Sequence, residues 1–206
     1  MTEIINKENE KKEVSATTEV KKTKLYASFS FWFKLVDEYN NYQHHNNKQI
    51  KQEDYSDMVK KIAEFDTIED FWEIYQFLKK PEQAKHGLEI SLFKKNIKPM
   101  WEDPGNKSGG KVSLKIKKEF SNLIWDELVY RLIGNNFPLI DNEEINGLVF
   151  SLKRDSNFVQ VWFKNFNTEK MNAIIASVKK IMSIPDNIEL DIRPFNRQKE
   201  VINDKK

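Results

Sequence analysis

The stretch Leu25-Tyr26-Ala27-Ser28-Phe29-Ser30-Phe31-Trp32-Phe33 alternates so that Leu25, Ala27, Phe29, Phe31 and Phe33 fall on one side of an extended chain. A period of two in aromatic-rich sequence marks a strand with one face in a core. A second extended segment is expected at roughly 55–65, beyond a polar stretch (37–54) that is long for a loop in a compact domain. The period then changes. Thr67 stands as a helix N-cap, with Asp70 three residues on as an acidic variant of the capping box. Phe71, Ile74, Tyr75 and Leu78 repeat at helical spacing and predict a helix over 68–79 that stops before Pro81. Strands follow at 88–94 and 111–117, the latter carried by Val112, Leu114 and Ile116. A helix over 120–133 has the core stripe Trp125, Leu128, Val129 and Leu132 and is closed by Gly134 as a left-handed cap. A hairpin of 147–153 and 158–164 turns about Asp155-Ser156-Asn157, and a helix at 168–182 and a strand at 188–193 complete the order. Helices between hairpin-like strand pairs imply an α+β fold: a single curved, mostly antiparallel β-sheet backed by three helices on its convex face.

Composition bounds what such a domain can do. Of 206 residues, 39% are apolar and 32% charged, which suits one globular domain, expected over 25–195. Residues 1–24, dominated by Lys, Glu, Thr and Asn, read as a disordered tail, and 196–206 as a mobile one. Lys+Arg of 34 against Asp+Glu of 32 gives a formal net charge of +2, so any anion site must come from local clustering. The absence of cysteine excludes disulfides, thiolate zinc sites and cysteine nucleophiles. No apolar run reaches membrane-spanning length, and the expectation is a soluble cytoplasmic protein, with the nucleus also open. His44, His45 and His86 lack the acidic partners of a metal site and read as polar loop residues. With no Ser-His-Asp set, paired catalytic carboxylates or phosphate-cradling glycine loop, neither an enzyme nor a metal or cofactor is expected. Gly109-Gly110 reads as turn chemistry, and Trp32 and Trp125 read as core tryptophans.

The most informative chemistry lies in Pro99-Met100-Trp101-Glu102-Asp103, a loop kept turning by Pro104, Gly105, Gly109 and Gly110. An indole beside a carboxylate suits a flat cation that carries two parallel N–H donors. A guanine methylated at N7 is such a group: it is positively charged, and its N1–H and 2-amino edge matches a carboxylate in bidentate fashion. Aromatic faces on the cation supply ~0.5–2 kcal/mol each, and a charge-assisted bidentate contact ~1–3 kcal/mol. Neutral guanine forfeits the first contribution.

Phe65-Asp66-Thr67-Ile68-Glu69-Asp70-Phe71-Trp72, Ser91 through Asp103 with its Met-Trp-Glu-Asp element, Lys107-Ser108-Gly109-Gly110-Lys111 and Leu132-Ile133-Gly134 together resemble the eukaryotic translation initiation factor 4E family, which binds the messenger RNA cap. The resemblance covers about Leu25 to Arg193 and implies the fold just described. It implies that Trp101 is one slice of an aromatic sandwich and Glu102 the acceptor for the guanine edge. Tyr55 stands where the initiation factor has the second tryptophan, as in the 4E-homologous branch linked to translational repression. Lys153 and Lys111 match basic positions for the cap's phosphates, with Arg154 as a further contributor, and Trp162 matches the tryptophan against the methyl group. The chain departs from the pattern at Phe158, where the family has a second phosphate-binding lysine. It departs also at Thr23-Lys24, in place of a His-Pro pair, at Val112, in place of a tryptophan, and in the long loop before Tyr55.

A second surface is read from helical geometry. Trp72 sits about 100° round from Phe71, with Ile68 one turn earlier, and Leu123, Glu127, Tyr130 and Gly134 lie opposite the core stripe of their helix. Apolar groups with one carboxylate on exposed helix faces suit capture of an amphipathic helix. The resemblance implies a 4G-type scaffold or a 4E-binding protein carrying a Tyr-x-x-x-x-Leu-hydrophobic segment, with Trp72 as anchor. The implied function is binding of the 7-methylguanosine cap and recruitment of such a partner to control translation initiation. The alternatives are a cap-competing repressor of the 4E-homologous type and an interaction-only module that has lost cap binding.

Overall fold

The computed structural model describes residues 21–35 and 56–196. Residues 1–20, 36–55, with Tyr55 and the polar 37–54 stretch among them, and 197–206 lie outside the described residues. In chain order the elements are β1 (Lys24–Leu35), β2 (Lys60–Thr67), α1 (Ile68–Tyr75), β3 (Leu88–Lys94), β4 (Gly110–Ile116), α2 (Ser121–Ile133), β5 (Ile145–Leu152), β6 (Asn157–Phe163), α3 (Thr168–Met182) and β7 (Asp191–Pro194). The strands form one open sheet in the order β2-β1-β3-β5-β6-β4-β7, and every neighbouring pair is antiparallel.

The alternation read in the sequence sorts the two faces. Phe29 and Phe31 of β1, Val112, Leu114 and Ile116 of β4 and Val159 and Val161 of β6 are buried against Phe71 and Tyr75 of α1, Trp125, Leu128 and Leu132 of α2, and Ile174 and Val178 of α3. All three helices thus cover one face. Within that core Phe31, Phe71 and Tyr75 stack with ring centroids 4.8–6.4 Å apart, fixing α1 on β1 and β2. The opposite face carries a smaller buried cluster of Trp32, Phe93, Val149 and Trp162. Trp32 is therefore not part of the main core: one residue on from Phe31, it points to the helix-free side, as period two requires.

Several local expectations are corrected. Helix α1 ends at Tyr75, because Phe77 and Leu78 donate to Ile74 and Tyr75 in a tighter i−3 pattern and Lys80, before Pro81, is extended. Strand β2 starts at Lys60 rather than near 55 and runs on to Thr67. Thr67 caps α1 by accepting the Asp70 N–H at 3.1 Å, while the Asp70 carboxylate pairs with Lys22 instead of closing the box. Gly134 has φ −83°, and the left-handed residue after α2 is Asn135, at φ 52°. Gly109 and Gly110 serve close packing rather than a turn. A Cβ on Gly109 would stand 1.8 Å from the Phe163 carbonyl oxygen, and one on Gly110 2.7 Å from that of Arg193.

On the sheet's outer edge Glu64 of β2 joins Lys95 at 2.6 Å and Lys61 at 3.0 Å. Those two ammonium groups hold its carboxyl at about 2, below the ordinary 4.5. A depressed acid stabilises the fold above its unfolded pKa and ceases to do so as pH falls through the folded one. Glu64→Gln is therefore expected to cost little at neutral pH, under ~1 kcal/mol for so exposed a group. Acid titrations of stability should show its difference from the parent vanishing between about pH 4.5 and 2.

Candidate cap-binding site

The loop joining β3 to β4 is built from amides and turns. Asp103 accepts from the backbone N–H groups of Lys98 at 3.0 Å and Gly105 at 2.9 Å. The wholly buried Asn106 donates to the carbonyls of Lys98 at 2.9 Å and Met100 at 2.8 Å. From β5, Asn146 reaches the Gly105 carbonyl at 2.7 Å and the Asn106 side-chain oxygen at 2.9 Å. Met100 plugs the protein side, so its neighbour Trp101 is turned outward and left 55% exposed.

Trp101, with Pro99 and Lys107, forms one wall of a cavity of about 810 Å³ on the helix-free face. Its floor is Trp32, Ser91, Val149, Gln160 and Trp162, and Lys111 and Arg193 also line it. Strand register explains the grouping: Lys111 of β4 pairs with Trp162 of β6 on one side and Arg193 of β7 on the other. Trp162 is only 7% exposed. Its Nε1 donates to Gln160 at 2.9 Å, Phe93 meets it edge-on, and Phe195 lies over it with centroids 4.4 Å apart. Burial pushes the Lys111 ammonium below the ordinary lysine range, and Arg193 adds to that push while Glu89 opposes it. An anion here would relieve the cost of holding these charges together. Glu89 is itself occupied, by Lys34 at 2.6 Å and the Ser151 hydroxyl at 2.8 Å.

The structure thus brings Trp101, Lys111 and Trp162 to one cavity. Glu102 follows Trp101 outside the cavity lining, and its Oε2 is buried with no hydrogen-bond donor among the described residues. Lys153 is exposed beyond the lining, its Nζ 4.7 Å from the centre of the Phe158 ring. Tyr55 lies outside the described residues. Sequence reasoning missed Arg193, Gln160, Asn106, Asn146 and Phe195. Period two along β6 could have found Gln160 beside Trp162, but the β4–β7 pairing that delivers Arg193 leaves no local signal.

On the helical side Trp72 (48% exposed), Ile68 and Tyr130 remain at the surface. The Trp72 and Tyr130 rings sit 5.7 Å apart, joining α1 to α2. Leu123 is exposed, Glu127 pairs with Arg131 at 2.6 Å, and Gly134 is exposed at the end of α2.

Fold and site together define a single-sheet α+β module with an aromatic and cationic cavity on one face and an apolar helical surface on the other. The family model for eukaryotic initiation factor 4E matches residues 24–206, and the chain belongs to that family. A eukaryotic translation initiation factor NCBP of Oryza sativa subsp. japonica is 32% identical over 147 residues, 71% of this chain and 64% of the relative. Translation initiation factor 4E1 of Drosophila melanogaster is 38% identical over 124 residues, 58% of this chain and 47% of the relative. The chain thus spans less than two thirds of the length of these relatives. Among solved structures, C. elegans eIF4E-3 in complex with the 4E-binding protein Mextli and a cap analog aligns with a TM-score of 0.69 at 26% identity, covering 84% of this chain and 93% of that one. Schistosome eIF4E complexed with m7GpppG and 4E-BP gives 0.70 at 25% identity, covering 90% and 95%.

Proposed function

We propose that this chain binds the 7-methylguanosine cap of messenger RNA in the cavity beside Trp101 and recruits a partner helix on Trp72, so controlling translation initiation in the cytoplasm without catalysing a reaction. The observation that carries this reading is the outward Trp101 ring on a cavity lined by Lys111 and by Arg193, whose Nε also pairs with Asp191 at 2.9 Å. Stacking on the methylated base and neutralisation of the phosphates are what those groups offer. Glu102 then supplies the acceptor for the guanine edge: its unpaired oxygen is a buried acceptor that gains most from a donor. Tyr55 closes the other side of the base, Trp162 meets its methyl group, and Lys153 swings from the Phe158 ring to a phosphate. The two similar structures, solved in complex with cap ligands and 4E-binding partners, support both halves of the assignment. The partner helix is expected to lie across Ile68, Trp72, Glu127, Tyr130 and Gly134.

Retention on 7-methyl-GTP resin with elution by 7-methyl-GTP but not by GTP is the expected result. No retention would leave the interaction-only alternative, which Phe158 at a phosphate-lysine position favours.

The asparagine clamp gives a second expectation. Asn106→Ala removes a buried donor from two carbonyls and should cost ~1–3 kcal/mol of stability. It should weaken 7-methyl-GTP binding by roughly tenfold through the misplaced Trp101 (~1.4 kcal/mol). Thermal unfolding and ligand titration of the same sample check both. Unchanged affinity in a destabilised variant would mean that the loop holds its shape without the clamp.

A further inference from the structure

We infer that Phe158 and Lys115 form a landing platform for the RNA that follows the cap, with Phe158 stacking on a nucleobase and the cations around it tracking the backbone. This rests on the cap reading above and names what lies beyond its triphosphate.

One rung of the helix-free face runs Lys34, Glu89, Ser151, Phe158 and Lys115 across five strands. Its first members are cavity residues, and Phe158 and Lys115 stand just outside the lining. Phe158 is four residues along β6 from Trp162, roughly 13 Å at the rise of a strand. Ligand leaving the floor of the cavity along β6 therefore meets this ring next. Phe158 is half-buried on the face opposite the core, and Lys153 already rests a cation over it at 4.7 Å.

The surroundings are basic. The side chains of Lys115, Lys153 and Arg154 are exposed and form no ion pair among the described residues. The Arg154 carbonyl accepts from Lys118 at 2.6 Å, which ties the hairpin turn to the approach of α2. Lys117 reaches Glu119 at 3.8 Å, and Asp155 lies in the turn itself, so segments 115–119 and 153–155 carry five cations against two carboxylates. In a chain whose formal net charge is +2 this is a local concentration. An aromatic ring interleaved with unpaired cations is the chemistry that binds single-stranded nucleic acid without reading its sequence. A protein partner would more often meet a patch whose centre is poor in charge and in lysine.

The test compares 7-methyl-GTP with a short 7-methylguanosine-capped RNA on the parent chain, Phe158→Ala, Phe158→Leu, Phe158→Tyr and Lys115→Gln. The capped RNA is expected to bind the parent about fivefold or more tighter than 7-methyl-GTP, the gain of one stacked base. Phe158→Ala and Phe158→Leu lose that gain, read as the ratio of capped-RNA to 7-methyl-GTP affinity in the same variant, and Phe158→Tyr keeps it. The leucine–tyrosine pair decides the matter even if the alanine variant folds poorly, since both fill the site but only one is flat. Lys115→Gln lowers the salt dependence of capped-RNA binding and leaves that of 7-methyl-GTP alone. If 7-methyl-GTP binds but the capped RNA gains nothing, or if Phe158→Leu keeps the gain, the platform is wrong and the cap site stands. If neither ligand binds, the cap reading itself has failed.

Discussion

Trp101→Ala is expected to abolish retention on 7-methyl-GTP resin while leaving the melting temperature almost unchanged. The ring is 55% exposed and stands away from the core, so its removal should alter stability by no more than ~0.5 kcal/mol. What disappears is one face of the base stack. Stacking on an aromatic side chain is worth ~1–3 kcal/mol and the cation adds ~0.5–2 kcal/mol. A fall of roughly 10- to 4,000-fold in affinity follows, at ~1.4 kcal/mol per tenfold. Glu102→Ala should lose a further ~1–3 kcal/mol of guanine-edge recognition, whereas Trp101→Phe should retain part of the stack. Fluorescence titration with 7-methyl-GTP measures each. Affinity unchanged in Trp101→Ala would remove the cap from the cavity altogether.

The second large effect is expected on the opposite face. Trp72→Ala should reduce binding of a Tyr-x-x-x-x-Leu-hydrophobic peptide by ~2 kcal/mol or more, about 30-fold, as indole anchors at the centre of an interface do. The ring is 48% exposed and leans on Phe71 and Tyr130 at 5.0 and 5.7 Å, so some local loosening accompanies its loss. Titration of the same variant with 7-methyl-GTP should give the parent's affinity, because the sheet and the whole main core stand between the two surfaces. Joint loss of both ligands would assign Trp72 to folding rather than to recognition.

How far the chain could be read before its structure depended on the range of each interaction. Alternation through Phe29, Phe31, Val112, Leu114 and Ile116 gave the buried face of the sheet correctly, because period two is written in neighbouring residues. The stripes on α1 and α2 and the limits of α3 were legible for the same reason. Trp101 was legible as a loop residue by its flanking Pro and Gly, and its outward turn came from the burial of Met100 beside it. Asn106 and Asn146 were not, since the bond that joins them crosses 40 residues and neither residue announces burial. Gly134 misled because the helix finishes in right-handed geometry and hands the left-handed position to Asn135. Gly109 and Gly110 looked like a turn, whereas the pressure on them comes from Phe163 and Arg193 on adjoining strands.

The amide pair beneath the Trp101 loop has a practical corollary. Asparagine side chains neither gain nor lose protons in aqueous work, and direct amide contacts this deep are shielded from dissolved ions. Whatever buffer dependence a titration reveals can thus be charged to the visiting nucleotide, to its charged contacts including Glu102, and to the Asp103 carboxylate that also braces the loop, with the amide clamp as a constant background. The same two residues should also keep the indole poised before any encounter, so that binding asks for little rearrangement of the receiving loop.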